Sequence, residues 1–366
     1  MNRSVAVALV CCYFTFLLGS CRADTDTLKL VHVLFRHGNR NPDQGSLYPS
    51  NPYYDEGNYT EGYGQLTNEG KVTEYAIGTA LRSRYDSFLT KTWNINYLDV
   101  RSTNTNRTKM SALLMLAGLY PARTTQIWSS LLWLPIPYNY VSSGDKEMMW
   151  FGTCSQLYTL VSELYSSSDM TTYLKRYKAL FAILMAYTDL DTVTVSNAFN
   201  YYFGFAVQEE LGFTLEDWVS IIYPEPIHAA AVDYYYFITN TTALRTISAG
   251  YLLRKIIEDS QSKVDGSISP ETRKMFIYSG HEMNVAAMLL SLGVKKLTDI
   301  PAYGSYVLFE LHEIDGVYGF KIYYQLYEED DPIEATIPGC GTFCSLTDFI
   351  SVYEDIIPTD DTACTG

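Results

Sequence analysis

The sequence predicts an α/β fold: a mostly parallel central sheet with helices on both faces, plus a smaller helical cap inserted in the chain. Three observations predict it. Leu28–Phe35 is a short, nearly continuous apolar run with β-branched residues, the pattern of a strand covered on both faces. Strand–helix alternation follows this run and resumes after residue 240, which implies parallel strands joined by helices. Between these parts, from about Tyr140 to Tyr235, helical periodicity dominates and aromatic residues are dense. The expected division is a core at 24–140 and 241–366, a helical cap insertion at 141–240, and a signal peptide at 1–23.

The elements follow in order. Arg3, the apolar stretch Val5–Leu18 and the small-residue zone Gly19–Ala23 read as a secretory signal. The stretch is too short to span a bilayer comfortably. Leu18-Gly19-Ser20-Cys21 also resembles a lipoprotein cleavage box, a rival to that reading. The first strand ends where Arg36-His37-Gly38-Asn39-Arg40-Asn41-Pro42 begins, and a loop rich in Gly, Pro, Asn and Tyr continues to Gly64. Thr67 is suited to cap a helix carrying Val72, Tyr75, Ala76, Ala80 and Tyr85. Ile95–Val100 reads as a strand ending at Arg101, and Asn104 or Thr105 can cap a helix over Arg107–Leu119 that stops before Pro121. After the cap come a helix at Ala243–Asp259, a strand at Met275–Tyr278 ending in Ser279-Gly280-His281, and a helix at Asn284–Leu292. Tyr306–Glu313 and Val317–Tyr324, joined at Asp315-Gly316, form a hairpin pattern.

Composition narrows the function. The chain has 366 residues, 47% hydrophobic and 18% charged, which fits a globular protein and not a disordered one. Its net charge is −15; residues 1–23 hold Arg3 and Arg22 and no acid, so the remainder stands at −17. Such a surface repels nucleic acid and anionic membrane, so a phosphorylated ligand must meet a local concentration of arginines. Past residue 23 the cysteines are Cys154, Cys340, Cys344 and Cys364. In an oxidising compartment they allow three pairings; a small loop between Cys340 and Cys344 leaves Cys154 to reach Cys364. A zinc site is disfavoured because no histidine lies near the cysteines. Sequons stand at Asn58, Asn106 and Asn240, and Asn106 adjoins a candidate site residue, which disfavours a glycan there.

A phosphomonoester must be held by cations, attacked in line, and have its leaving oxygen protonated. Arg36 and Arg40 flank His37, and a guanidinium matches phosphate bidentately. Arg107, in the first turn of a helix, adds its charge to the exposed N–H groups there. A neutral imidazole at His37 can attack phosphorus and carry it as phosphohistidine. Glu282 is the natural acid for the leaving oxygen. His37, Arg101 and His281 all fall just after expected strands, where open α/β sheets bind ligands. His32 looks packed within its strand, and His228 and His312 look structural or exposed.

Residues Arg36–Pro42 form an R-H-G-x-R-x-P motif that resembles the signature of the acid phosphatase branch of the histidine phosphatase superfamily. Arg101-Ser102-Thr103, Arg107–Ser111 and Tyr278–Glu282 resemble its later motifs in order, and Leu66–Gly70 and Leu132–Pro137 also look familial. The resemblance covers nearly all of the chain after residue 23, with insect venom, prostatic and lysosomal members nearest. It implies His37 as nucleophile, Arg36, Arg40, Arg107 and His281 as phosphate ligands, and the residue after His281 as proton donor. Many members carry Asp there; this chain carries Glu282. The resemblance further implies no cofactor, no metal, a small phosphomonoester substrate and a homodimer. Secretion is expected over a lysosomal location.

Two other functions share this scaffold. A phytase-like inositol polyphosphate phosphatase needs further cations around the pocket, and Lys175, Arg176 and Lys178 are the main basic cluster of the cap. A catalytically weak secreted or venom binding protein would lack the nucleophile or an arginine, and this chain keeps the set. The absence of H-E-x-x-H and G-x-S-x-G disfavours a metal hydrolase or a serine hydrolase.

Overall fold

The computed structural model describes residues 26–140, 146–147, 154–326 and 331–364, so the expected signal at 1–23 lies outside the described residues. β1 (Leu28–Arg36) is followed by α1 (Asn68–Arg84), β2 (Leu98–Ser102), α2 (Asn106–Leu119) and the short β3 (Asn139–Tyr140). Five helices follow among the described residues: α3 (Ser155–Ser166), α4 (Ser168–Leu174), α5 (Lys178–Thr188), α6 (Val195–Glu210) and α7 (Ile227–Phe237). Next, α8 (Thr242–Arg245) passes through a π turn at Thr246–Gly250 into α9 (Tyr251–Val264). β4 (Met275–Gly280) leads to α10 (Glu282–Ser291). The last elements are β5 (Tyr306–Ile314), β6 (Val317–Gln325), β7 (Ile333–Glu334), β8 (Cys344–Ser345) and α11 (Leu346–Tyr353).

These strands form one sheet in the order β3-β2-β4-β1-β5-β6-β7, with β8 pairing β6. From β3 to β1 the strands are parallel, and from β5 onward they are antiparallel. β1 is buried on both faces, as its unbroken apolar run requires. Val31, Val33 and Phe35 join one apolar cluster with Leu81 and Leu116, from α1 and α2. Leu30 and Leu34 join the other, with Phe199 of α6, Tyr235 of α7 and Ile256 of α9. His32 shares this second face, stacked on Phe276 with centroids 5.0 Å apart and 3.1 Å from the Ser260 hydroxyl. The hairpin turn at Asp315-Gly316 has φ of 51° and 78°, the left-handed pair that its Asp-Gly sequence favours.

Several boundaries differ from expectation. Thr67 does cap α1, but Val72 and Tyr75 face solvent. The buried ridge is Gly70, Glu74, Gly78 and Leu81. A Cβ on Gly78 would stand 2.0 Å from the Met115 carbonyl oxygen, so α1 and α2 meet backbone to backbone. A contact made by glycine leaves no hydropathy signal. β2 begins at Leu98, where its pairing with Met275 starts, and Ile95 before it is exposed. α10 begins at Glu282, two residues earlier than expected, because the Asn284 Oδ1 accepts from the His281 N–H at 2.9 Å and closes the helix start. Disulfides join Cys154 to Cys364 and Cys340 to Cys344.

Candidate active site

Strand register brings the distant motifs together. Arg36 pairs with Gly280, and Ser279 pairs with both Phe35 and Ser102, so β1, β4 and β2 end side by side. The ladder continues one residue further on each side. The His37 N–H donates to the Gly280 carbonyl at 3.0 Å, and the Thr103 N–H to the Ser279 carbonyl at 3.0 Å. His37 and His281 thereby meet edge to face with ring centroids 5.4 Å apart. Helix α1 lies against this turn: a Cβ on Gly38 would sit 2.3 Å from the Gly70 oxygen, and one on Gly70 would sit 2.1 Å from the Asn39 oxygen. Only glycines at both positions let the helix lie so close to the His37–Asn39 backbone.

His37 is buried and oriented. Its Nδ1 lies 2.9 Å from the Gly38 carbonyl oxygen. A carbonyl can only accept, so Nδ1 carries the hydrogen and Nε2 keeps its lone pair. Burial, followed by the charges of Arg107, Arg36, His281 and Arg40, holds the His37 pKa well below its ordinary value. The imidazole is therefore neutral at mildly acidic pH. The Glu282 Oε2 stands 4.0 Å from His37 Nε2 and 3.5 Å from Arg36 Nε.

Three guanidinia surround the imidazole. Arg36 is fixed by a 2.6 Å bond from Nη1 to the Pro301 carbonyl and lies 3.9 Å from the Tyr303 ring centroid. Its Nε and Nη2 are buried and hydrogen-bond to no group among the described residues, and so is Nε of Arg40. Desolvated donors of this kind suit an anion. Asp43 holds Arg40 at 3.3 Å and Arg107 at 3.2 Å. Burial acts to raise the Asp43 pKa, but the Arg40 and Arg107 charges outweigh it and leave it lowered. His281 Nε2 lies 2.9 Å from the Thr103 hydroxyl, which lies 2.8 Å from that of Thr108. Burial and the three arginines keep the His281 pKa well below the ordinary value.

A cleft of ≈ 480 Å³ opens at this cluster, and Arg40, Asp43, Arg107 and Glu282 are part of its lining. Helices α3, α6 and α7 contribute Tyr158, Ser196, Phe199, Asn200, Phe203 and Tyr234. One ligand atom each from His37, His281 and Glu282 lies within 4.8 Å of the others, a spacing that could hold a metal ion. Three guanidinia around the same point oppose a cation, so these residues fit an anion and not a metal.

The structure thus gathers Arg36, His37, Arg40, Arg107, His281 and Glu282 in one place. It does not bring in Arg101, which stays within β2 and pairs with Asp99 at 3.4 Å and with Glu147. Asn106 begins α2 and is exposed, as are Asn58 and Asn240. His32 is packed, His312 is buried between Thr27 and Glu310, and His228 bridges Glu225 and Asp299. Sequence reasoning missed Asp43, Thr103 and Tyr303. Asp43 directly follows the first motif and Thr103 lies inside the second, so both were within reach; Tyr303 carries no such signal.

A model of the histidine phosphatase superfamily (branch 2) matches residues 27–325. The chain belongs to that family. This histidine phosphatase is 32% identical over 338 residues to venom acid phosphatase Acph-1 of Apis mellifera, covering 91% of this chain and 86% of that one. It is 29% identical over 360 residues to the lysosomal acid phosphatase of Rattus norvegicus, covering 94% and 83%. Among solved structures it resembles a Hafnia alvei phytase in complex with myo-inositol hexakis sulphate, with TM-score 0.68 and 18% identity over 92% of this chain and 98% of that one. This last similarity concerns the fold alone. No helix among the described residues is long and apolar enough to cross a membrane.

Proposed function

We propose that the protein is a secreted, metal-independent acid phosphatase that hydrolyses small phosphomonoesters through a phosphohistidine at His37. The observation that carries this reading is the His37 Nε2 lone pair, held free by the bond from Nδ1 to Gly38 and surrounded by Arg36, Arg40 and Arg107. The arginines hold the three non-bridging phosphate oxygens, with His281 as a fourth ligand. Donation from the Thr103 hydroxyl to His281 Nε2 would leave a proton on Nδ1 for the anion. Nε2 forms its bond to phosphorus as the P–O ester bond breaks, and Glu282 gives its proton to the departing oxygen. The Glu282 carboxylate then takes a proton from water as that water attacks the phosphohistidine, releasing phosphate and restoring both groups.

The cleft lining favours single-phosphate esters over inositol polyphosphates. Arg40 and Arg107 are its cations, and much of the rest of its wall is aromatic, with the amide of Asn200. That wall comes from residues 141–240, which supports reading them as a cap inserted between core segments 24–140 and 241–366. The expected signal, the disulfides and the exposed sequons support secretion as a glycoprotein, with Asn58 and Asn240 favoured over Asn106. The relatives' names, venom and lysosomal, fit that route. A homodimer remains part of the proposal.

The test is hydrolysis of p-nitrophenyl phosphate at about pH 5 with EDTA present, for wild type and His37→Ala. Wild-type turnover should survive EDTA and the alanine form should lose it. Full activity in the alanine form would sink the mechanism. Alkaline quenching during turnover should trap phosphohistidine at residue 37. Faster turnover of inositol hexakisphosphate than of p-nitrophenyl phosphate would favour the phytase-like alternative.

A further inference from the structure

Asn240 is the acceptor of an N-x-T sequon, and it also lines a second cleft, of ≈ 610 Å³, away from the catalytic groups. Leu164 of α3, Met170 of α4 and Phe237 of α7 give this cleft apolar side chains, and Tyr173, 39% exposed, adds an aromatic ring. The Tyr173 hydroxyl donates to Asp233 Oδ2 at 2.7 Å and accepts from Arg176 Nη1 at 2.6 Å, so the ring is held in place. Asp169, in the first turn of α4, is exposed and lines the cleft as well. Its carboxylate accepts from the Ser168 hydroxyl at 3.4 Å, a long bond that leaves most of its acceptor capacity open.

This combination suits a saccharide. A sugar ring presents C–H groups to an aromatic or apolar surface, and it carries hydroxyl donors at its edge that a carboxylate accepts. The cleft volume lies within the about 300–1,000 Å³ typical of small-ligand sites. A free sugar would lose its full translational and rotational freedom on binding there. A sugar attached at Asn240 does not: the covalent tether sets a high local concentration, so weak contacts suffice to seat it. Asn58, the other favoured sequon, stands exposed in the single turn Glu56–Asn58, with its amide donating to the Asp55 carbonyl oxygen at 2.9 Å.

We infer that the first sugar of an N-glycan on Asn240 seats in this cleft and ties α4 to α3 and α7. The sugar packs on Tyr173 and donates hydroxyl hydrogens to Asp169. Helices α3 and α7 also supply Tyr158 and Tyr234 to the active cleft, so the seated sugar braces two of the helices that line it. The glycan is thus a structural part of the molecule at Asn240, whereas at Asn58 it is a surface appendage. This inference rests on the reading of Asn240 as a glycosylated site.

The experiment uses protein secreted from mammalian cells, treated in its native state with a peptide N-glycosidase while mass spectrometry follows glycan release at Asn240 and Asn58. The glycosidase cuts the bond between asparagine and the first sugar, so a seated sugar must leave the cleft before it is cut. Wild type is compared with Tyr173→Ser, which removes the ring, and with Asp169→Trp, which fills the cleft. Far-ultraviolet circular dichroism checks that both variants fold. Release at Asn240 should be about fivefold or more slower in wild type than in either variant, because cutting tracks the unseated fraction. Release at Asn58 should be the same in all three forms. Equal Asn240 rates in the three forms, or an equal rise at Asn58 in both variants, would overturn the inference and leave the glycosylation reading intact. An Asn240 that carries no glycan would overturn that reading, and this inference with it.

Discussion

His32 lies on the buried strand β1, five residues before His37, and it gives a calculable acid sensitivity. Burial, with a smaller effect from Lys255, lowers its pKa from 6.5 to about 3. In the unfolded chain the imidazole regains its ordinary value, so below that pH the unfolded state binds a proton that the folded state cannot. Stability therefore falls as pH drops through the unfolded value and levels out only below the folded one. About pH 5 lies about 1.5 units below the unfolded value, which at about 1.36 kcal/mol per unit makes a loss of about 2 kcal/mol relative to neutral pH. The figure does not depend on the folded value while that value stays well under 5. Urea unfolding at about pH 7.5 and about pH 5 would measure it in wild type, His32→Gln and His32→Phe. Glutamine can keep a bond to Ser260, and phenylalanine keeps the stack on Phe276. Either variant should lose about 2 kcal/mol less than wild type between the two pH values, because all other groups titrate alike and cancel. Equal losses in all three forms would refute the account of His32 as a buried neutral group.

Three further outcomes follow from the same geometry. Glu282→Gln should slow esters with poor leaving groups by about a hundredfold or more while sparing good ones, seen as a steeper dependence of kcat/KM on leaving-group pKa. Gly70→Ala would place a methyl 2.1 Å from the Asn39 oxygen and displace the turn that carries His37. Its kcat should fall by about a hundredfold with far-ultraviolet circular dichroism unchanged. His228 is raised in pKa: burial acts to lower it, but bonds to Asp299 at 2.8 Å and Glu225 at 2.9 Å outweigh that. This contribution is present in full below the unfolded value of about 6.5 and lost as pH rises through the higher folded value. The Tm deficit of His228→Ala should therefore be larger at about pH 5 than at about pH 8.5.

The sequence by itself determined the chemistry and the frame that carries it. Leu28–Phe35 can satisfy its apolar run only as a strand covered on both faces, and Arg36–Pro42 states its residue types outright. Arg107, His281 and Glu282 were legible because each stands at a strand or helix end, where open sheets present ligands. Tertiary structure decided the rest. The register of β1, β2 and β4 brings His37, Thr103 and His281 to one edge, and sequence pattern does not encode register between distant strands. The inner face of α1 left no apolar pattern in the sequence, because glycine makes its closest contacts. Arg101 was expected just past the end of its strand, but β2 runs through it to Ser102, and Asp99 and Glu147 are its ion partners. Asp43 and Tyr303 stand 3.2–3.9 Å from arginines, a proximity that depends on how helices and loops pack against the sheet. Residue type fixes what a side chain can do, and packing fixes which charge it faces.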